Sequence, residues 1–185
     1  MSLTPSNMLP LGTVAPDFEL LDVLSSQRKS IQDLKSEKGT VVMFICNHCP
    51  FVKHVQEALV KVAKDYTDKG IAFIAINSND VEAFPADSPD KMKELGEHLG
   101  FPFPYLYDES QKVAKSYKAA CTPDFYVFDQ DLKCVYRGQL DDSRPGNHIP
   151  VTGNDLRSAM DNLLSGKEVS TNQKPSIGCN IKWKQ

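Results

Sequence analysis

Two stretches of the chain are apolar at nearly every position, Thr40-Val-Val-Met-Phe-Ile45 and Ile71-Ala-Phe-Ile-Ala-Ile76. Runs this short, rich in β-branched residues, predict strands covered on both faces of a sheet. Between them Val52, Val55, Leu59, Val62, Ala63 and Tyr66 recur at steps of three and four, the stripe of an amphipathic helix. Pro50 suits the first turn of that helix, where no N–H is needed, and Gly70 suits its stop. Strand, helix and strand within residues 41–76 make a βαβ unit, with a right-handed crossover expected.

Downstream the pattern is of shorter range. Ser88-Pro-Asp opens a predicted helix that Gly100 and Pro102 close, and Tyr105–Tyr107 reads as a short strand. Asp108 is placed to cap a helix over residues 109–118. Phe125–Phe128 and Cys134–Arg137 read as an antiparallel hairpin, and Leu156, Met160, Leu163 and Leu164 mark one face of a helix over 154–165. Residues 18–22 and 30–34 read as short strand and turn material, 1–11 as an irregular arm, and 138–153 as a long polar loop of functional type. In the tail, 167–185, Ile177, Ile181 and Trp183 predict that part of it packs down. The order of elements predicts an α/β fold, one domain over 12–166 with a mixed central sheet flanked by helices.

Composition narrows the function classes. The 185 residues are 41% hydrophobic and 24% charged, with 21 Lys+Arg against 24 Asp+Glu and a formal charge of −3. That field steers in neither nucleic acid nor an anionic membrane, and neither is expected as a partner. No apolar run approaches the roughly 18 residues of a membrane span. The first residues show no basic and apolar leader pattern, so no signal peptide is expected and the cytosol is the expected compartment. Five cysteines, an odd number, argue against a structural disulfide framework and for redox or metal chemistry at the one close pair, Cys46 and Cys49.

Cys46-Asn-His-Cys-Pro50 falls where the first buried strand turns into the helix. Two cysteines at this spacing in a helical first turn bring their sulfurs within bonding reach. The helix N-terminus offers unpaired N–H groups and a positive dipole end, which favour the thiolate, the reactive form in disulfide exchange. A protonated His48 adds to that effect. Access then suggests roles: Cys46, at the edge of the turn, as the exposed attacking sulfur, and Cys49, one turn deeper, as the resolving thiol. Two ordinary buried cysteines are one competing reading. A zinc site completed by His48 or Cys179 is another, although no second CxxC or paired histidine motif accompanies it. Cys121-Thr-Pro123 precedes a strand, and Pro123 is a candidate cis-proline that would offer the Thr122 backbone as an edge to an extended peptide or thiol substrate. An ordinary trans proline opening a strand is the plainer alternative.

Together these motifs resemble the thioredoxin superfamily, and within it the peroxiredoxin-like redoxin branch grouped with alkyl hydroperoxide reductase and thiol-specific antioxidant sequences. Ala15-Pro-Asp-Phe18 is similar to that branch's N-terminal signature, which precedes an added β-hairpin. Cys46-Asn-His-Cys-Pro-Phe-Val-Lys-His54, Gln139-Leu-Asp-Asp-Ser-Arg-Pro-Gly-Asn147 and Ser176-Ile-Gly-Cys-Asn-Ile-Lys-Trp183 resemble a subgroup of small uncharacterised thioredoxin-like proteins, the likeness covering residues 12–183. The resemblance implies a thioredoxin-like fold with an N-terminal β-hairpin extension. It implies a thiol–disulfide oxidoreductase in which Cys46, Cys49, His48 and Pro123 are catalytic and Thr122 and Pro50 contact substrate. The implied partners are a protein or small-molecule thiol or disulfide and a cellular thiol reductant, with no cofactor and no metal. A peroxiredoxin-like thiol peroxidase with antioxidant activity on hydroperoxides is the alternative. A metal-binding or interaction module on the same fold is the second.

The departures from the resemblance bear on that choice. Peroxiredoxins place Thr or Ser three residues before the reactive cysteine; here Met43 precedes Cys46 and Cys46 precedes Cys49, so this position supplies no hydroxyl. They also need an arginine at the thiolate, for which Arg137 and Arg144 are candidates, each readable as a surface charge. Thioredoxins carry a buried acid in the strand before their CxxC, whereas Thr40–Ile45 has none, which leaves the proton acceptor for Cys49 unassigned. His48 suggests a potential more oxidising than thioredoxin's. Cys121 reads equally as a third thiol or a core filler, Cys134 as a filler, and Cys179 as a packed residue or a resolving thiol. His54 is an exposed residue within reach of the site, and Asp141-Asp142 a solvated loop pair.

Overall fold

A computed structural model describes residues 3–185. Along the chain run strands β1 (Leu3–Pro5), β2 (Glu19–Asp22) and β3 (Gln27–Ser30), helix α1 (Ile31–Leu34), strand β4 (Thr40–Phe44), helix α2 (Pro50–Thr67) and strand β5 (Ala72–Asn77). A 3₁₀ turn (Pro85–Asp87) leads into helix α3 (Pro89–Leu99), followed by strand β6 (Tyr105–Tyr107) and helix α4 (Lys112–Ser116). Strands β7 (Cys121–Thr122), β8 (Asp124–Phe128) and β9 (Cys134–Gly138), helix α5 (Asn154–Leu164) and strand β10 (Ile177–Asn180) complete it.

The main sheet has the order β3-β2-β6-β5-β4-β8-β9. Strands β4, β5 and β6 are parallel, while β2, β3, β8 and β9 join antiparallel, so the sheet is mixed. Buried at all five positions, β4 alternates its side chains between two apolar layers. Val41 and Met43 face one layer with the α2 stripe and with Leu156, Ala159 and Met160 of α5. Val42 and Phe44 face the other, with Val113, Ala114, Phe18 and Ile31. Each fully buried aliphatic of the α2 stripe contributes roughly 1.5–3 kcal/mol of transfer free energy, much of it offset by ordering the chain. The expected hairpin extension is β2–β3, docked through β2 on β6.

Local expectations are refined at five places. Residues 3–5 of the arm are not irregular: they form β1, which pairs with β10 in a second sheet of order β1-β10-β7. The tail likewise supplies a strand, with Cys179 and Ile181 buried and Trp183 39% exposed. Residues 31–34 form a helical turn, because Ser30 and Asp33 make a reciprocal capping box. Asp108 does cap α4, accepting from the Val113 and Ala114 amides, but the left-handed Gln111 at φ 60° delays the helix to Lys112. In the 138–153 loop Asp141 is buried rather than solvated. Its carboxylate accepts from the amides of Ser143, Thr152 and Gly153 and so fixes the approach to α5, while Asp142 pairs with Lys174 at the surface.

Candidate active site

The site assembles where β4 ends beside β5 and β8, at the carboxyl edge of the parallel strands, the common position for a site in an open α/β sheet. Cys49 is the N-cap of α2 and Pro50 its first residue, exposed, as the turn chemistry requires. The Thr122–Pro123 peptide is cis, which turns β7 into β8 directly against the two cysteines. Thr122 meets both of them. Its hydroxyl lies 3.4 Å from Cys46 Sγ, and its carbonyl oxygen lies 3.4 Å from Cys49 Sγ.

The expectation of an exposed Cys46 is not met. Cys46 is 1% exposed and Cys49 fully buried, both inside the apolar layer between the sheet and α2. Nor does the helix favour Cys46, which lies three residues ahead of the cap and beyond the reach of the first turn. The hydrogen bond with Cys49, then burial, then the nearby Asp87 charge push the Cys46 thiol well above its ordinary range. Cys49 moves the other way, to about 5. The Cys46 thiol donates to it, and Cys179 and the amides of Val52 and Cys179 add to the effect against the cost of burial. The pair holds its negative charge on Cys49, with Cys46 as the donor.

His48 lies with its ring beside Cys46 and is held there by the 3₁₀ turn. Its Nδ1 meets Asp87 Oδ2 at 2.5 Å, and its ring stacks on Phe84 with centroids 5.1 Å apart. Asp87, fully buried, also accepts from the Asn47 amide at 2.6 Å, from Asn79 Nδ2 at 2.9 Å and from Asn77 Nδ2 at 3.4 Å. Asn47 itself donates to the Ala86 carbonyl and accepts from the Tyr105 hydroxyl. The CxxC turn is thus held from below by the 3₁₀ turn. Sequence reasoning missed Asp87, and nothing local to the CxxC signals it. It also missed the Thr122 side chain, which supplies the hydroxyl that the peroxiredoxin pattern places elsewhere.

The donor atoms of Cys46, His48 and Asp87 lie within 4.8 Å of one another and are the group that could hold a metal ion among the described residues. Two of the three are committed to each other by the His48–Asp87 bond. The candidate arginines are engaged elsewhere: Arg137 donates to the Leu9 carbonyl and Gln173, and Arg144 to the Asp141 and Ser143 carbonyls and Gln139. Exposed His54 bonds Ser143 Oγ at 2.7 Å. Cys121 is buried with its sulfur toward the Pro123 carbonyl at 3.8 Å, and Cys134 is a buried filler. Cys179, by contrast, places its sulfur 2.7 Å from Cys49 Sγ.

The chain is similar to several known proteins. An uncharacterized conserved protein from Geobacillus kaustophilus is 64% identical, with a TM-score of 0.98 over 100% of this chain and 97% of that one. The thioredoxin domain of a thiol-disulfide oxidoreductase from Bacteroides vulgatus superposes with a TM-score of 0.60 at 22% identity, over 74% of this chain and 90% of that one. The thiol-disulfide oxidoreductase ResA of Bacillus anthracis is 24% identical over 127 residues, 69% of this chain and 68% of that protein. The sequence profile of the AhpC/TSA family matches residues 11–137, from the strand that opens the hairpin through the sheet, the CxxC turn and the cis-proline. With the mixed sheet and the cis-Pro123 loop set against Cys46 and Cys49, that match makes the chain a member of the AhpC/TSA family, in the peroxiredoxin-like branch of the thioredoxin superfamily.

Proposed function

We propose that the protein is a thiol–disulfide oxidoreductase that cycles Cys46 and Cys49 between dithiol and disulfide. The observation that carries this reading is the placement of Cys46 and Cys49 at the start of α2, with the Thr122 hydroxyl 3.4 Å from one sulfur and the Thr122 carbonyl oxygen 3.4 Å from the other. The similarity to ResA supports the same class of reaction.

In the reductive direction the Cys46 proton passes along its hydrogen bond to the Cys49 thiolate as Cys46 Sγ attacks one sulfur of a substrate disulfide. The substrate S–S bond breaks, and its leaving sulfur takes the electron pair and a proton. Cys49 Sγ then attacks Cys46 Sγ, closing the protein disulfide and releasing the second substrate thiol. Two electrons and the one proton of the pair have moved from protein to substrate, the second proton comes from solvent, and a cellular thiol reductant returns the electrons. The Cys49 thiolate thereby serves as the base that the preceding strand does not provide. The Thr122 backbone edge expected to hold the partner is paired with Cys179 instead, so Pro123 and the Thr122 hydroxyl border the approach to Cys46 with Pro50, and His48 acts through the turn that Asp87 holds.

Burial of both sulfurs favours a small substrate, and with the Thr122 hydroxyl at Cys46 it favours one second reading, reduction of a hydroperoxide. There Cys46 Sγ takes an oxygen from the O–O bond and releases the alcohol or water. Cys49 then condenses with the sulfenic acid and expels water. Thiol trapping with mass mapping after matched brief exposures to oxidised glutathione and to hydrogen peroxide separates the two. A Cys46–Cys49 bridge formed faster with the disulfide upholds the oxidoreductase. A trappable Cys46 sulfenic acid formed faster with peroxide replaces it with the peroxidase.

A further inference from the structure

The C-terminal strand closes on the active site more tightly than packing alone requires. β10 lies antiparallel on β7, with Cys179 opposite Thr122 and Asn180 opposite Cys121. It therefore lines the β7 backbone that the sequence reading reserved for an extended substrate. Gly178 makes this approach possible: a Cβ there would lie 2.0 Å from the Thr122 carbonyl oxygen and 2.7 Å from its carbon, both backbone atoms. The consequence is the 2.7 Å contact between Cys179 Sγ and Cys49 Sγ, inside the ordinary contact distance of two sulfurs. Cys49 thus sits between two thiols, Cys46 on one side and Cys179 on the other. Cys121 and Cys134, equally buried, face carbonyl oxygens instead.

We propose that Cys179 is a third redox-active thiol, which accepts the disulfide from Cys46–Cys49 and holds it as Cys49–Cys179. The inference rests on the Cys46–Cys49 cycle proposed above. In the exchange Cys179 Sγ attacks Cys49 Sγ, the Cys49–Cys179 bond forms and the Cys46–Cys49 bond breaks. The electron pair stays on Cys46 Sγ, and the Cys179 proton passes to Cys46. One disulfide and one thiol are present before and after, so no oxidant is consumed. The oxidised protein then carries a free Cys46 beside Thr122, ready to meet a second substrate, and a covalent tie between the start of α2 and β10.

Disulfide mapping of the full chain tests this directly. Trypsin leaves Cys46 and Cys49 together in residues 39–53 and Cys179 in residues 168–182, since the Lys174–Pro175 bond resists cleavage. A Cys46–Cys49 bridge is an internal loop in one peptide; a bridge to Cys179 joins two. The reduced protein is treated with diamide, a small neutral oxidant that takes two electrons and two protons from a thiol pair. The joined peptides are expected in the native protein and in Cys46→Ser, and their loss is expected in Cys49→Ser. An internal loop without joined peptides in the native protein overturns the proposal and leaves the Cys46–Cys49 cycle standing. Joined peptides without any loop uphold the transfer when the loop appears in Cys179→Ser, and overturn the Cys46–Cys49 cycle and the transfer with it when that variant forms none. Neither product overturns both.

Discussion

The Asp87 carboxylate and the His48 ring meet at 2.5 Å although 39 positions separate them in the chain, and this contact ties the 3₁₀ turn before α3 to the turn that carries both cysteines. Asp87 also receives the Asn47 amide and two asparagine side chains, so four donors depend on one buried carboxylate.

Replacing Asp87 with Asn puts an NH₂ group where one of those acceptors was. Leaving a buried donor without its partner costs about 1–3 kcal/mol. Asp87→Asn is therefore expected to lose at least that much stability in urea unfolding. It is also expected to make Cys46 easier to ionise, since the Asp87 charge is one of the groups that hold its thiol protonated. An unchanged unfolding midpoint would show that the carboxylate does not hold the turn.

The CxxC turn was legible because its chemistry is local: an apolar strand, a helix stripe and two cysteines at one boundary. The order of the main elements followed from the same periodicity. Asp87 was not legible, because a short turn after β5 delivers it and no spacing links it to His48. The place of Cys179 was hidden for a related reason. It depends on the register of β10 against β7, a pairing over more than 50 residues that a four-residue strand without periodicity does not advertise. The exposure of Cys46 was misjudged because sequence locates the turn but not the Thr122 loop that covers it.

The charge on the pair is assigned to Cys49, with its pKa lowered from 9.0 to about 5 and that of Cys46 raised. The ultraviolet thiolate band of the reduced protein at neutral pH is expected to vanish in Cys49→Ser and to survive in Cys46→Ser. The linkage to stability has a definite sign. The folded pKa lies below the unfolded one, so this contribution is complete above pH 9 and is lost as pH falls through about 5. A band that disappears with Cys46 instead would reverse the assignment.

Asp124, just after the cis-proline, is buried on the opposite layer from the cysteines, beside Tyr126. It accepts from Ser6 Oγ at 2.7 Å, from the Tyr126 hydroxyl at 3.0 Å and from the Phe125 amide at 3.2 Å. Burial raises its pKa from 3.8 to about 7 despite these donors. Between those values the folded chain binds more protons than the unfolded one. The contribution is thus fully present below pH 3.8 and is lost as pH rises through about 7. Over that window it amounts to as much as about 4 kcal/mol. Unfolding free energies measured across this range should fall with pH more steeply in the native protein than in Asp124→Asn, whose side chain does not titrate. Parallel curves for the two proteins would remove Asp124 from the account.

Gly178 gives the most direct handle on the C-terminal strand. Its φ is not in the left-handed region, so the requirement for glycine there is one of space rather than of backbone freedom. In Gly178→Ala the new methyl meets the Thr122 carbonyl, which is fixed by the cis peptide on one side and by β10 on the other, so neither can yield by a side-chain rotation. The strain is relieved only if β10 moves away from β7, and overpacking of this kind costs about 1–3 kcal/mol. The same movement lengthens the Cys49–Cys179 contact, whereas Cys46 and Cys49 keep theirs because both belong to the turn before α2. Gly178→Ala is therefore expected to lower the unfolding midpoint and the yield of the peptides joined through Cys179 while the Cys46–Cys49 loop rises in their place. A variant that loses both bridges in proportion would mean that the strand supports the whole site rather than Cys179 alone.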